Sequence, residues 1–106
     1  MKLNELNKQR ENYQTEGNIL KEIEVLREIL IETEKEYSSE SDEYIKALNE
    51  LGGTLKYVGY YDEAESNLKK SLEIIDKKYG DNNLAYATSL LNLTEVYRFA
   101  QKFNLL

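Results

Sequence analysis

The chain contains no cysteine, no histidine, no proline and no tryptophan, and each absence removes a class of explanation. Without cysteine there is no disulfide framework and no thiolate metal site, which suits a reducing compartment, so a cytoplasmic protein is expected. Without histidine the chain lacks the commonest general base and most zinc ligand sets. No glycine-rich phosphate loop, EF-hand loop or nucleotide fingerprint is present. The "YGDNN" segment offers one acid and two amides, far short of a calcium cage. The expectation is therefore a non-catalytic protein with no cofactor and no metal. Five glycines and no proline fit poorly with a turn-rich all-β chain, whereas abundant Glu, Lys and Leu favour an all-α one. Long apolar runs are missing too: nothing approaches the roughly 18 residues of a membrane span, and "MKLNELNKQRENYQ" has no apolar signal core. A net charge of -6 without clustered Lys and Arg argues against nucleic acid as the main ligand.

What the sequence does contain is a repeat. A shift of 42 residues lays Leu26 on Leu68, Leu30 on Leu72, Tyr37 on Tyr79 and Tyr44 on Tyr86. The register continues upstream, pairing Leu6 with Leu48 and Gly17 with Gly59, and downstream, pairing Leu51 with Leu93, Lys56 with Arg98 and Tyr57 with Phe99. Matches among Leu and Glu arise easily by chance; paired tyrosines and a paired glycine in one register do not. At 106 residues with 41% apolar content, the chain is long enough for one compact domain, with units at about 1–41, 42–83 and 84–106, the last incomplete.

Within each unit the apolar spacing is helical. Tyr44, Leu48, Leu51, Leu55 and Val58 recur at alternating intervals of four and three, and Ala64, Leu68, Ser71, Leu72 and Ile75 form a second stripe after Gly59. Five helices are predicted, at about 3–15, 19–37, 42–57, 61–79 and 83–100. Gly17 and Gly59 stand where a helix stops in a left-handed conformation, and "YSSESD" and "YGDNN" carry turn and N-cap chemistry. The pattern describes antiparallel helical hairpins.

The run Leu48, Leu51-Gly52, Leu55, Gly59, Tyr61, Ala64, Leu68 and Ser71 resembles the tetratricopeptide repeat, and the longer period resembles the extended variety found in kinesin light chains. That resemblance implies a short right-handed solenoid of about two and a half hairpins. It also implies that Gly52 is the small residue at the helix crossing, facing Ala64. The first unit departs from the pattern, with Gln9 and Arg10 in place of the Leu-Gly pair and Glu22 in place of Ala64, as in a capping repeat. The remaining acids of the second helix, Glu24, Glu28, Glu32, Glu34 and Glu36, read with Glu22 as a solvated outer face.

Because the family lines a concave surface with the first helix of each pair, the resemblance implies a protein or peptide partner bound across Asn49, Lys56, Tyr57, Asn92, Glu95, Arg98 and Phe99. Lys46, Glu50, Thr88 and Leu91 share those helix faces, and Asn7, Lys8, Glu11 and Gln14 are their counterparts in the first unit. Asn92 matches the groove asparagine that hydrogen-bonds a peptide backbone in kinesin-light-chain-like repeats; Asn49 lies one residue off that register. Lys56 and Arg98 are either a pair that grips a carboxylate or two solvated charges. Tyr57 and Phe99 are either groove or core, and Gly53 either opens the groove wall or is a surface glycine without a role. Two alternatives to the peptide groove stand beside it. One is self-association, possible as a homodimer, through the C-terminal helix by Leu93, Phe103, Leu105 and Leu106, with "FNLL" starting an uncompleted sixth helix. The other is a regulatory segment of a larger protein whose effector domain lies elsewhere.

Overall fold

The computed structural model describes residues 2–103, in which there are five α-helices and no strand. They are α1 (Lys2–Glu16), α2 (Ile19–Glu36), α3 (Asp42–Leu55), α4 (Tyr61–Tyr79) and α5 (Leu84–Phe103), with a 3-10 turn at Lys56–Val58 following α3. Two boundaries differ from the periodicity. The last turn predicted for α3 tightens into the 3-10 form, and α5 runs on to Phe103 rather than giving way to a sixth helix there. Leu105 and Leu106 lie outside the described residues.

The repeat written in the sequence reappears in the helix ends. At the end of α1, the Asn18 N–H bonds the Tyr13 carbonyl at 2.9 Å and the Gly17 N–H bonds that of Gln14 at 3.2 Å. After α3 the same two bonds recur, Tyr60 to Leu55 at 3.2 Å and Gly59 to Lys56 at 3.4 Å. Both are six-to-one and five-to-two closures around a left-handed residue, and Gly17 and Gly59 adopt φ of 74° and 82°, where a Cβ would be strained. Helix starts are capped by side chains: the oxygens of Asn18, Ser41 and Asn83 accept the backbone N–H groups of Lys21, Tyr44 and Tyr86.

Contacts divide the chain into two compact units, Met1–Ala47 and Leu48–Leu106. In the first, α1 lies along α2. The pairings Lys2–Glu32 and Arg10–Glu22 run in opposite chain order, so the two helices are antiparallel. α2 buries two adjacent stripes, Ile23 and Leu26 on one and Val25 and Ile29 on the other, while α1 contributes only Leu6 to the buried set. The small-residue crossing of the second unit is replaced here by an ion pair: Arg10 and Glu22 occupy the repeat positions of Gly52 and Ala64, and Arg10 Nε donates to Glu22 Oε2 at 3.1 Å. Glu22 is therefore buried and not part of a solvated outer face; only the Arg10 guanidinium makes its burial tolerable.

In the second unit, Tyr61–Phe99, Glu65–Tyr97 and Ser71–Ser89 contacts set α4 antiparallel to α5. Leu48, Leu51, Leu55, Ala64, Leu68, Ile75, Leu93 and Val96 are its buried apolar residues. Gly52 is the close approach, and the side chain nearest to it is that of Leu68. A Cβ added at Gly52 would stand 2.6 Å from Leu68 Cγ, so the missing side chain is the notch into which Leu68 fits.

Candidate functional site

The second unit carries all seven residues for which the sequence suggests a groove. Contacts between Asn49 and Asn92, Lys56 and Glu95, and Tyr57 and Phe99 follow the same chain order on both sides, so α3 with its 3-10 turn runs parallel to α5. The parallel course puts repeat-related positions side by side.

Three clusters lie along this pair. Nearest the N-terminal ends, Asn49 Oδ1 accepts from Ser89 Oγ at 3.0 Å and from Asn92 Nδ2 at 3.3 Å. Asn49 and Asn92 are half-exposed, and Gly53 lies beside them: a Cβ there would meet Asn92 Nδ2 at 3.7 Å, an ordinary contact. Gly53 thus adjoins Asn92, and unlike Gly52 it has room for a methyl group.

The second cluster changes the reading of Lys56. Its side chain is buried, with Nζ 3.5 Å from Glu95 Oε1, 5.1 Å from the centre of the Tyr57 ring and 5.4 Å from that of Phe99. The rings meet edge to face at 5.6 Å and 85°. A carboxylate and two aromatic faces compensate the desolvated ammonium, so Lys56 is neither a solvated charge nor an open ligand clamp. The tightened 3-10 turn and the closure at Gly59 hold it there.

In the third cluster, Arg98 is the exposed cation. Its Nη2 donates to Glu95 Oε2 at 2.5 Å, so one carboxylate of the chain already occupies the space between the two cations where the sequence suggested a ligand carboxylate. Tyr57 is 61% exposed and Phe99 half-exposed, which sets the first on the surface and the second between surface and core.

On the neighbouring face Tyr97 donates its hydroxyl to Glu65 Oε2 at 2.5 Å, and Lys69 Nζ lies 3.5 Å from the same oxygen. The Tyr97 hydrogen bond lowers the Glu65 carboxyl from its ordinary value and raises the Tyr97 phenol, while the Glu65 charge raises the Lys69 ammonium.

The self-association residues fare differently. Leu93 is buried in the second unit and is core, because its i±3 and i±4 neighbours Val96 and Ser89 are buried with it. The large apolar side chains that α5 exposes are Leu84, Leu90, Leu91 and Tyr97. Phe103 closes α5, and its side chain, like Leu105 and Leu106, lies outside the described residues.

Antiparallel hairpins, repeat-related left-handed glycines and a notched crossing define a family, and the profile of the tetratricopeptide repeat matches residues 42–105, well over half of the chain. The chain belongs to the tetratricopeptide repeat family. The comparison with curated proteins finds no match. Tetratricopeptide repeats generally mediate protein–protein interactions and are typically non-catalytic. No helix among the described residues is long and apolar enough to cross a membrane.

The sequence left one part of this site unread, the buried pair Ser71 and Ser89 behind Asn49. The signal was present: 42 residues earlier the corresponding positions are the apolar residues Ile29 and Ala47.

Proposed function

We propose that the second unit binds a peptide segment of a partner protein along the face shared by α3, its 3-10 turn and α5. The observation that carries this reading is the alignment of half-exposed Asn49 and Asn92, exposed Tyr57, half-exposed Phe99 and exposed Arg98 along two parallel helices. Amides for a backbone, aromatic faces for apolar side chains and one accessible guanidinium are a complete set for a peptide with an acidic residue or a terminal carboxylate. The Arg98–Glu95 ion pair stands in the way only weakly, because Arg98 is largely exposed and exposed pairs contribute at most about 1 kcal/mol. A ligand carboxylate competes for Arg98; Lys56 and Glu95 shape the floor beneath it.

The test is selection of peptides from a random display library, followed by calorimetry and chemical-shift mapping. Peptides that bind should weaken with added salt and with Asn92→Ala combined with Arg98→Ala, and should shift Asn49, Tyr57, Asn92 and Phe99 resonances. Shifts confined to Glu24–Glu36 of α2 would place the ligand elsewhere and defeat the proposal.

Self-association through α5, with a second copy of the chain as occupant, is the other reading. It is favoured by the internal repeat: Leu48 and Leu55 of α3 are fully buried, whereas the repeat-related Leu90 and Tyr97 of α5 are 46% and 45% exposed. The α3 face between them is covered by Leu68 of this chain's own α4 at Gly52. Sedimentation equilibrium decides it, and a monomer at high concentration ends it.

A further inference from the structure

The buried serines raise a question that packing does not answer. Ser71 and Ser89 are wholly inaccessible, yet the corresponding positions of the first unit are Ile29 and Ala47, so the repeat itself accepts apolar side chains there. In the second unit the two hydroxyls form a relay: Ser71 Oγ lies 2.9 Å from Ser89 Oγ, and Ser89 Oγ donates to Asn49 Oδ1 at 3.0 Å. A hydroxyl has one proton. Since Ser89 directs its proton at Asn49, the bond between the serines must run from Ser71 to Ser89.

The amide at the end of the relay is thereby oriented. Asn49 Oδ1 has two lone pairs, and they are taken by Ser89 Oγ and Asn92 Nδ2. With its oxygen committed to this inward network, the carboxamide turns Nδ2 and its two protons the other way. Asn92 has given one N–H to Asn49 and keeps its oxygen and a second N–H, with Gly53 leaving space beside it. Asn49 thus offers donors alone, whereas Asn92 offers both an acceptor and a donor.

We propose that the Ser71–Ser89 relay is a specificity device. It fixes Asn49 so that this point of the groove offers only hydrogen-bond donors, and the partner segment must present an acceptor there, a backbone carbonyl or side-chain amide oxygen. This rests on the peptide-binding reading above and adds to it the polarity of the ligand. Ser71 and Ser89 act through Asn49 and are positioning residues. Were the amide inverted, with Nδ2 inward, the same groove would ask for the opposite pattern.

The experiment has two arms. In the free protein, side-chain NMR reads the orientation directly. Both Asn49 Nδ2 protons should exchange quickly with solvent and show no Overhauser contact to the Ser89 β protons, while Ser89→Ala should let the amide sample both orientations. Slow exchange of an Asn49 Nδ2 proton, with such a contact in the wild type, would overturn the proposal whether or not a peptide is known. In the second arm, library peptides that bind the wild type are measured at high salt against Asn49→Asp, which keeps the inward oxygen, exchanges the outward donor for an acceptor and adds one negative charge that the salt screens. Affinity should fall about tenfold, the effect of a hydrogen bond replaced by a mismatch. Equal binding to Asn49→Asp would overturn the polarity while leaving the groove intact. Failure of the library to yield any binder would instead count against the peptide-binding reading, and the NMR arm would still decide the orientation.

Discussion

Gly52 and Gly53 are adjacent in one helix, and the structure gives alanine substitutions at them opposite signs. Replacing a helix-interior glycine by alanine gains about 1 kcal/mol from backbone entropy alone. At Gly53 that gain is free to appear, since the new Cβ meets Asn92 at an ordinary 3.7 Å. At Gly52 the Cβ would stand 2.6 Å from Leu68 Cγ and 2.9 Å from Cδ2. Leu68 is fully buried, and Cγ is not the mobile end of its side chain, so the leucine must leave its rotamer or α4 must move. Overpacking of this kind costs about 1–3 kcal/mol, which leaves Gly52→Ala destabilising by up to about 2 kcal/mol after the entropic gain. Urea denaturation followed by circular dichroism measures both variants with an unchanged denaturant slope. The cause is isolated by Leu68→Ala, itself destabilising by about 2–5 kcal/mol. On that background Gly52→Ala should become stabilising by about 1 kcal/mol, because the clash is gone and the cavity is partly filled. If Gly52→Ala raised the urea midpoint of the otherwise unaltered protein as Gly53→Ala does, the notched crossing would be refuted.

Three other outcomes are expected. Arg10→Ala leaves the buried Glu22 carboxylate without its guanidinium and should cost about 3 kcal/mol in urea denaturation, whereas Arg10→Ala with Glu22→Ala should recover much of it; equal losses in both would remove the ion pair from the account. Leu93→Glu should unfold the second unit, lowering helical ellipticity, rather than yield a folded monomer, because Leu93 is core. The Tyr97–Glu65–Lys69 contact should stabilise the fold between its two titration limits. Glu65 is lowered in the folded state, so its contribution is present above the ordinary carboxyl value of 4.5 and lost as pH falls through the folded value. Tyr97 is raised, so its contribution is complete below 10.0 and lost as pH rises through the folded value; Lys69 behaves likewise from 10.5. Carbon NMR of the Tyr97 ring should show its titration midpoint falling in Glu65→Gln, and an unmoved midpoint would rule the contact out.

The helices, their caps and the repeat were legible in the amino-acid sequence because they rest on local chemistry. Apolar spacing of three and four selects a helix face, Ser41 and Asn83 carry the oxygens that cap the next turn, and Gly17 and Gly59 supply the left-handed residue that ends one. The family follows from those same features. Which side chains meet across helices was not legible in that way, since residues one turn apart share a face and only the offset of one helix along another chooses between them. Ala64 and Leu68 are such a pair, and tertiary packing brought Leu68 into the Gly52 notch. The same offset brought the Glu95 carboxylate to Lys56 and made it a buried cation, whereas Arg98 meets that carboxylate within α5, three residues on, and stays exposed. Leu93 and Leu90 belong to one stripe in the sequence, yet Leu93 is buried and Leu90 is 46% exposed. Ser71, Ser89 and Asn49, separated along the chain by whole helices, acquired a common hydrogen-bonded line only when α3, α4 and α5 packed. Periodicity decides what a residue faces; the distance and register between helices decide what it touches.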